Sequence, residues 1–162
     1  MGNVTFGIPR QLALALKAKH GINDFVETGT LVGHTAQWAA GHFQRVTTVD
    51  VCEDSRATAI LSAVANVRQI IMDSAAFLES APLDKPTLFW LDAHTNETCP
   101  VMTEIALINR SAIRHVILVD DVNQFGVLKN WPTKAEAAMA LCAGGRRTVY
   151  EFEDVLVAEP CP

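Results

Sequence analysis

The chain has 162 residues, of which 49% are hydrophobic and 19% are charged, and its formal net charge is -5. This length suits the core of one domain, which we expect to span residues 1–162, and the acidic balance argues against a nucleic-acid-binding protein. No apolar run is long enough to span a bilayer, and the N-terminus lacks the apolar core of a signal peptide, so no membrane association is expected.

The periodicity of apolar residues predicts strands and helices that alternate along the chain. Helices are predicted at 9–19, 32–43, 53–64, 75–79, 100–110 and 134–142. Strands are predicted at 25–26, 46–49, 67–72, 87–91, 116–119, 148–152 and 155–158. Such alternation predicts a doubly wound, parallel α/β sheet with right-handed crossovers. The short connection Glu153-Asp154 requires an antiparallel hairpin, so we expect one mostly parallel seven-stranded sheet that ends in this hairpin.

The connection after the first strand contains two glycines. Gly29 allows a tight turn and a close approach to a ligand, and Gly33 lies in the first turn of the next helix. Asp50, about twenty residues later at the end of the second strand, suits the hydroxyls of a ribose. Glu27 would repel a diphosphate and attract a cation, so the pattern predicts a nucleoside ligand without phosphate. The alternative is an ordinary βαβ turn with chance glycines.

An E-x-G-x-x-x-G turn followed by a strand that ends in Asp resembles the first two motifs of class I S-adenosylmethionine-dependent methyltransferases. The resemblance covers nearly the whole chain and implies a Rossmann-like fold with S-adenosylmethionine as cofactor. It implies cofactor contacts from residues at the strand ends, namely Glu27, Thr28, Gly29, Thr30, Gly33, Thr35, Asp50, Asp73, Ser74 and Asp92. Asp73 could instead be a helix cap.

Three further acids, Asp92, Asp120 and Asp121, follow the fourth and fifth strands. Carboxylates at two adjacent strand ends could chelate one hard divalent cation, with magnesium favoured. The set resembles the metal site of O-methyltransferases that act on sugars and catechols, including the macrocin and novobiocin types. The alternative is that Asp120 caps a turn and Asp121 faces solvent.

His94 lies two residues after Asp92, and the two are the predicted catalytic residues. His94 could act as a general base or as a metal ligand, or it could be a polar loop residue. For Glu104 a solvated position on its helix is expected, although the side chain could reach the metal. Trp131, in the loop 123–133, is the tryptophan most expected to contact a substrate.

The predicted function is metal-assisted O-methylation of a small hydroxylated acceptor. Only one helix precedes the first strand and no long insertion forms a lid, so a second subunit of a homo-oligomer could cover the acceptor site. The alternatives are a non-catalytic nucleoside-binding module and another enzyme that consumes S-adenosylmethionine, such as a lyase or hydrolase. The four cysteines lack the paired spacing of metal sites, and we interpret them as reduced thiols of a cytoplasmic protein.

Overall fold

The computed structural model describes residues 7–161, which form helices and strands that alternate as the sequence predicts. The helices are α1 (Arg10–His20), α2 (His34–Ala40), α3 (Ser55–Leu61), α4 (Ser74–Ser80), α5 (Val101–Ile108) and α6 (Lys134–Cys142). The strands are β1 (Asp24–Thr28), β2 (Arg45–Asp50), β3 (Val67–Ile71), β4 (Thr87–Leu91), β5 (Val116–Val119), β6 (Arg147–Phe152) and β7 (Val155–Pro160). None of the helices in this part of the chain is long and apolar enough to cross a membrane.

All seven strands form one sheet in the order β3-β2-β1-β4-β5-β7-β6. Strands β1 to β5 pair in parallel, whereas β7 is antiparallel to both of its neighbours. Thr28 is in register with Val49 of β2 and with Leu91 of β4, so these parallel strands end side by side. The predicted seven-stranded fold with a C-terminal hairpin is confirmed.

The helices cover both faces of the sheet, which explains why β5 is apolar throughout and β4 is apolar after Thr87. Along β4, Leu88 and Trp90 point to one face, where α1, α2 and α3 pack. Phe89 and Leu91 point to the other face, which is covered by α4, α5 and α6. All four side chains are buried, and the period of two along the strand divides the core into two layers.

Several element boundaries differ from the predicted ones. β1 continues through Glu27 and Thr28, which the sequence analysis did not include in the strand. α2 begins two residues late, because Gly33 has a φ of 82° and lies at the N-cap position. α3 begins at Ser55, because Asp54 is extended and its side chain caps the helix by accepting a hydrogen bond from the Arg56 N–H. These shifts move the side chains at the strand ends without changing the topology.

His115, just before β5, is fully buried, and neither ring nitrogen has a hydrogen-bond partner among residues 7–161. Its ring packs edge-on against Phe89 at a centroid distance of 5.2 Å. Burial, aided by the charge of Arg147, lowers the pKa of His115 from 6.5 to about 4. The folded protein therefore keeps this imidazole neutral at pH values where the unfolded chain protonates it.

We expect His115 to reduce the free energy of unfolding as the pH falls from about 6.5 towards about 4. Above this range neither state binds the proton, and below it both do, so the pH dependence due to His115 is confined to this window, and the lost stability is not regained at lower pH. Urea unfolding of His115→Leu should show a weaker pH dependence than urea unfolding of the wild type. Equal pH dependence in His115→Leu and the wild type would contradict the assignment.

Candidate cofactor and metal site

The predicted site residues follow strands that end at the same edge of the sheet. Backbone hydrogen bonds hold these ends together: the Gly29 N–H donates to the Val49 carbonyl at 2.8 Å, and the Asp92 N–H donates to the Thr28 carbonyl at 3.0 Å. The Asp120 N–H likewise donates to the carbonyl of Leu91 at 3.1 Å. The acids at the ends of β1 and β2 and those that follow β4 and β5 therefore lie at one edge of the sheet, the carboxyl edge, where open α/β sheets bind ligands in a cleft.

Gly29 has no room for a side chain. A Cβ atom at this position would lie 2.4 Å from the Asp92 carbonyl oxygen and 2.8 Å from its carbonyl carbon. The φ of 88° at Gly29 also favours glycine. Gly33 allows a close contact between two helices, because a Cβ atom there would lie 3.1 Å from the Leu61 side chain of α3. Gly29 thus lets the turn after β1 lie against the backbone that follows β4, whereas Gly33 lets α2 pack closely on α3.

Glu27 lies below the turn in a buried polar network. Its Oε2 atom accepts a hydrogen bond from the Thr48 hydroxyl at 2.6 Å, and the Thr48 and Thr30 hydroxyls are 2.7 Å apart. Burial raises the pKa of Glu27 to about 8, and the hydrogen bonds from Thr48 and Thr35 oppose this rise. At neutral pH the carboxyl group is therefore mostly protonated, and a nearby cation would favour its ionised form.

Asp50 ends β2 with both carboxylate oxygens in place. Oδ2 accepts from the Leu31 N–H at 3.2 Å, and Oδ1 accepts from the Cys52 N–H at 3.0 Å. Three large apolar side chains next to Asp50 are exposed: Leu31 at 71%, Val51 at 62% and Met72 at 44%. The sequence analysis missed these three, and a signal was available only for Val51, which is an apolar residue directly after a strand-ending acid. Together they offer a carboxylate beside an apolar surface.

Asp73 and Ser74 have separate positions at the start of α4. The Oδ1 atom of Asp73 caps the helix by accepting from the Ala76 N–H at 3.0 Å, as the alternative interpretation of the sequence had it. Ser74 is buried and lies near Glu104 of α5. A cap occupies only one carboxylate oxygen, so the predicted cofactor contact of Asp73 stays a prediction.

A cluster of possible metal ligands forms where β4 and β5 end. Asp92, His94 and Asp121 each offer a ligand atom, and these atoms all lie within 4.8 Å of one another. The Nε2 atom of His94 is 2.7 Å from an Asp121 oxygen and 3.5 Å from an Asp92 oxygen. The hydrogen bond to Asp121 and, to a smaller extent, the hydrogen bond to Asp92 raise the pKa of His94 to about 9. A protonated imidazole thus offsets the two acids in the apo protein, and a metal ion would replace its proton.

Asp120 is not part of this cluster, although the sequence predicts it as a ligand. It lines a small cavity of about 10 Å³ together with Asp92, His94 and Glu104. Burial, followed by the charge of Asp92, raises the pKa of Asp120 to about 7. The two neighbouring acids thus have different surroundings, because Asp121 has a φ of 53° and turns the chain towards His94.

The solvated position expected for Glu104 is wrong. Its side chain is fully buried, and neither carboxylate oxygen has a hydrogen-bond partner within residues 7–161. Burial raises the pKa of Glu104 to about 7. The nearby hydroxyls of Ser74 and Thr28 oppose this rise, although neither makes a hydrogen bond of standard geometry. Glu104 therefore lines the same small cavity as Asp92, a position that helical periodicity alone did not indicate.

Trp131 is buried and packs against His94, one of the three possible metal ligands. Its indole N–H donates to the Thr95 carbonyl at 3.1 Å, and its ring meets the His94 ring at a centroid distance of 4.8 Å. Phe125 packs on the same indole at 5.8 Å. The indole therefore restricts where the imidazole of His94 can move, and the predicted contact of Trp131 with a substrate stays a prediction.

No protein-family model and no curated protein matches the sequence. The structure is nevertheless similar to solved methyltransferases. One is TomG from Streptomyces achromogenes, an O-methyltransferase of tomaymycin synthesis in complex with S-adenosylmethionine, with a TM-score of 0.70 and 17% identity over 99% of this chain and 83% of TomG. An rRNA methylase from Streptococcus thermophilus gives 0.61 and 14%, over 98% of this chain and all of the methylase. The chain has a Rossmann-like methyltransferase fold.

A third solved structure is 1,6-didemethyltoxoflavin-N1-methyltransferase from Burkholderia thailandensis, with bound S-adenosylhomocysteine. Its TM-score is 0.57 at 18% identity, over 94% of this chain and 78% of that enzyme. The three neighbours methylate different classes of acceptor according to their names. The shared fold therefore does not identify an acceptor, which has to be argued from the site.

Proposed function

We propose that the protein binds S-adenosylmethionine at the carboxyl edge of its sheet and transfers the methyl group to an acceptor. The observation that carries this proposal is the turn at Gly29, which lies against the Asp92 backbone, directly after Glu27 and Thr28 of β1, and which binds the Asp50 carboxylate through the Leu31 N–H. The ligand that suits this cleft has a cationic part, a ribose and no phosphate. Solved neighbours of the same fold contain S-adenosylmethionine or S-adenosylhomocysteine, which supports this choice.

The residues around Asp50 suit the nucleoside part of this cofactor. The Asp50 carboxylate is fixed by two backbone N–H groups and keeps further lone pairs for ribose hydroxyls. Leu31, Val51 and Met72 provide the apolar surface on which an adenine ring would lie. Glu27, at the opposite side of the Gly29 turn, would favour the cationic methionine part.

Binding of S-adenosylmethionine, measured by calorimetry, tests the proposal. Asp50→Ala should weaken binding by about 1–3 kcal/mol, the usual loss of a hydrogen bond to a charged group. This corresponds to roughly a 5- to 150-fold rise in Kd. Asp84→Ala removes an equal charge at an exposed position before β4 and should leave Kd unchanged. Equal affinity of Asp50→Ala and the wild type would contradict the assigned ribose contact.

The protonation of Glu27 leads to a second expectation. A cationic ligand favours the ionised carboxylate, and Glu27 has a pKa of about 8 in the free protein, so affinity should rise between pH 6.5 and 8.5. The amino group of the ligand titrates as well, so the informative quantity is the ratio of wild-type to Glu27→Gln affinity at each pH. That ratio should grow with pH, and a constant ratio would rule out a charge contact with Glu27.

We further propose that methyl transfer is metal-assisted and directed to a hydroxyl group. Two carboxylates and one imidazole within 4.8 Å suit a divalent cation such as magnesium or manganese, and the imidazole also tolerates softer ions. When bound, the ion would lower the pKa of an acceptor hydroxyl. Asp92, His94 and Asp121 would hold this ion, and Trp131 keeps the imidazole of His94 in place.

The acceptor that best fits these residues is a small hydroxylated molecule. A module that only binds nucleosides would not need the cluster of Asp92, His94 and Asp121, so this cluster favours an enzyme. Release of S-adenosylhomocysteine in the presence of acceptor would separate methyl transfer from simple binding and from lyase or hydrolase reactions. Oligomeric state and cytoplasmic location stay predictions.

A further inference from the structure

A cavity lined by arginines lies at the edge of the sheet opposite the proposed cofactor site. It has a volume of about 470 Å³ and lies between the segment that leads from α5 to β5 and the segment that leads from α6 to β6. Four arginines line it, Arg110, Arg114, Arg146 and Arg147, and no acidic residue does. We call it the arginine cleft. In a chain with a net charge of -5, such a concentration of positive charge is unexpected.

Arg147 lines the arginine cleft from its buried side and is only 7% exposed. Its guanidinium donates to the Asn109 side-chain oxygen at 2.6 Å and to the His115 carbonyl at 3.1 Å. Burial lowers the pKa of Arg147, and the neighbouring charge of Arg146 lowers it further. These partners are neutral, so they satisfy N–H groups without balancing the charge. A buried charge without an opposite charge is costly, unless a ligand supplies one.

The other three arginines of the cleft also lack a buried acidic partner among residues 7–161. Arg114 donates to the Cys161 carbonyl at 2.7 Å, and Arg146 donates to the Ser111 carbonyl at 3.3 Å. Arg110 is 3.8 Å from Glu79, and both side chains are largely exposed. None of the ion pairs within residues 7–161 includes Arg114, Arg146 or Arg147.

We propose that the arginine cleft binds a small phosphorylated molecule, at a site separate from that of the cofactor. A guanidinium offers two parallel N–H groups to the oxygens of a phosphate, and four of them suit a ligand with more than one negative charge. The cavity volume is within the range of small-molecule sites, roughly 300–1,000 Å³. A long nucleic acid fits less well, because the acidic remainder of the surface would repel its backbone.

Calorimetric titration with inorganic pyrophosphate at low ionic strength tests this site in the full-length protein. The wild type should bind one pyrophosphate per chain in a saturable manner. Arg146→Glu should weaken this binding roughly tenfold or more, since a charge-assisted hydrogen bond is replaced by repulsion. Arg68→Glu makes the same change of charge on β3, away from the arginine cleft, and should alter Kd less than about twofold. Arg110→Glu provides a second variant in case Arg146→Glu does not fold.

Three results would overturn the proposal. The first is the lack of saturable pyrophosphate binding, in which case the arginines only stabilise the C-terminal ends of α5 and α6. The second is equal weakening in Arg146→Glu and Arg68→Glu, which indicates an unspecific effect of charge. The third is binding to an oligonucleotide that tightens with its length beyond the affinity for pyrophosphate, which indicates a nucleic-acid surface. Asp50→Ala should bind pyrophosphate normally, so failure of the cofactor proposal can be distinguished from failure here.

Discussion

Gly29→Ala should weaken binding of S-adenosylmethionine by at least about 2 kcal/mol, or roughly 30-fold. The new Cβ atom would lie 2.4 Å from the Asp92 carbonyl oxygen, a backbone atom that hydrogen-bonded strands hold in place. The ends of β1 and β4 must therefore separate, and the proposed binding site beside them would change shape. Calorimetry at a temperature where the variant remains folded, as checked by circular dichroism, measures the loss.

The matched control for this experiment is Gly21→Ala. Gly21 ends α1 with a φ of 62°, and a Cβ atom there would have no heavy atom within 4 Å. This substitution carries a similar backbone strain of about 1 kcal/mol without the steric clash, so cofactor binding should be unchanged. If Gly29→Ala bound the cofactor as well as Gly21→Ala does, the close approach of Gly29 to Asp92 would not matter for the site.

Asp121→Asn should reduce the affinity for a divalent cation at least about tenfold, because it removes one charged ligand of the three-residue cluster. His94→Ala should cause a comparable loss. Manganese is a suitable probe, since the free ion can be counted by electron paramagnetic resonance. Cofactor binding should survive both changes, because Glu27, Gly29 and Asp50 are untouched.

Asp120→Asn separates the two possible ligand sets. If the cation is held by Asp92, His94 and Asp121, this variant should lose less affinity than Asp121→Asn. If the set is the one predicted from the sequence, Asp120→Asn should lose at least as much, and His94→Ala should bind manganese normally. If the wild-type protein does not bind manganese, metal assistance is no longer part of the proposed function.

The fold could be predicted because its determinants are local. The run Val116–Val119 and the run 88–91 that follows Thr87 are apolar without interruption, which is typical of strands that are buried on both faces. The hairpin followed from a connection of two residues, and the turn at Gly29 from the glycine and the acids that flank it. Each of these signals acts within a few residues along the chain, so a single sequence was sufficient.

The details of the site depend on contacts between distant segments, which the sequence does not specify. Glu104 lies on the same face of α5 as Val101 and Ile105, but its charge indicated a solvated position. Its burial became evident only when α5 was packed beside the cleft. Likewise, strand endings placed Asp120 and Asp121 at one edge, but the left-handed φ at Asp121 decides which carboxylate reaches His94.

Binding of S-adenosylmethionine in a cleft at the carboxyl edge of the sheet is the central claim. A crystal structure of the protein with S-adenosylhomocysteine tests it most directly. We expect the ribose hydroxyls within hydrogen-bonding distance of the Asp50 carboxylate, the adenine against Val51 and Met72, and the amino-acid part beside the Gly29 turn. A ligand bound elsewhere, or a crystal soaked at saturating concentration with an empty cleft, would contradict the claim.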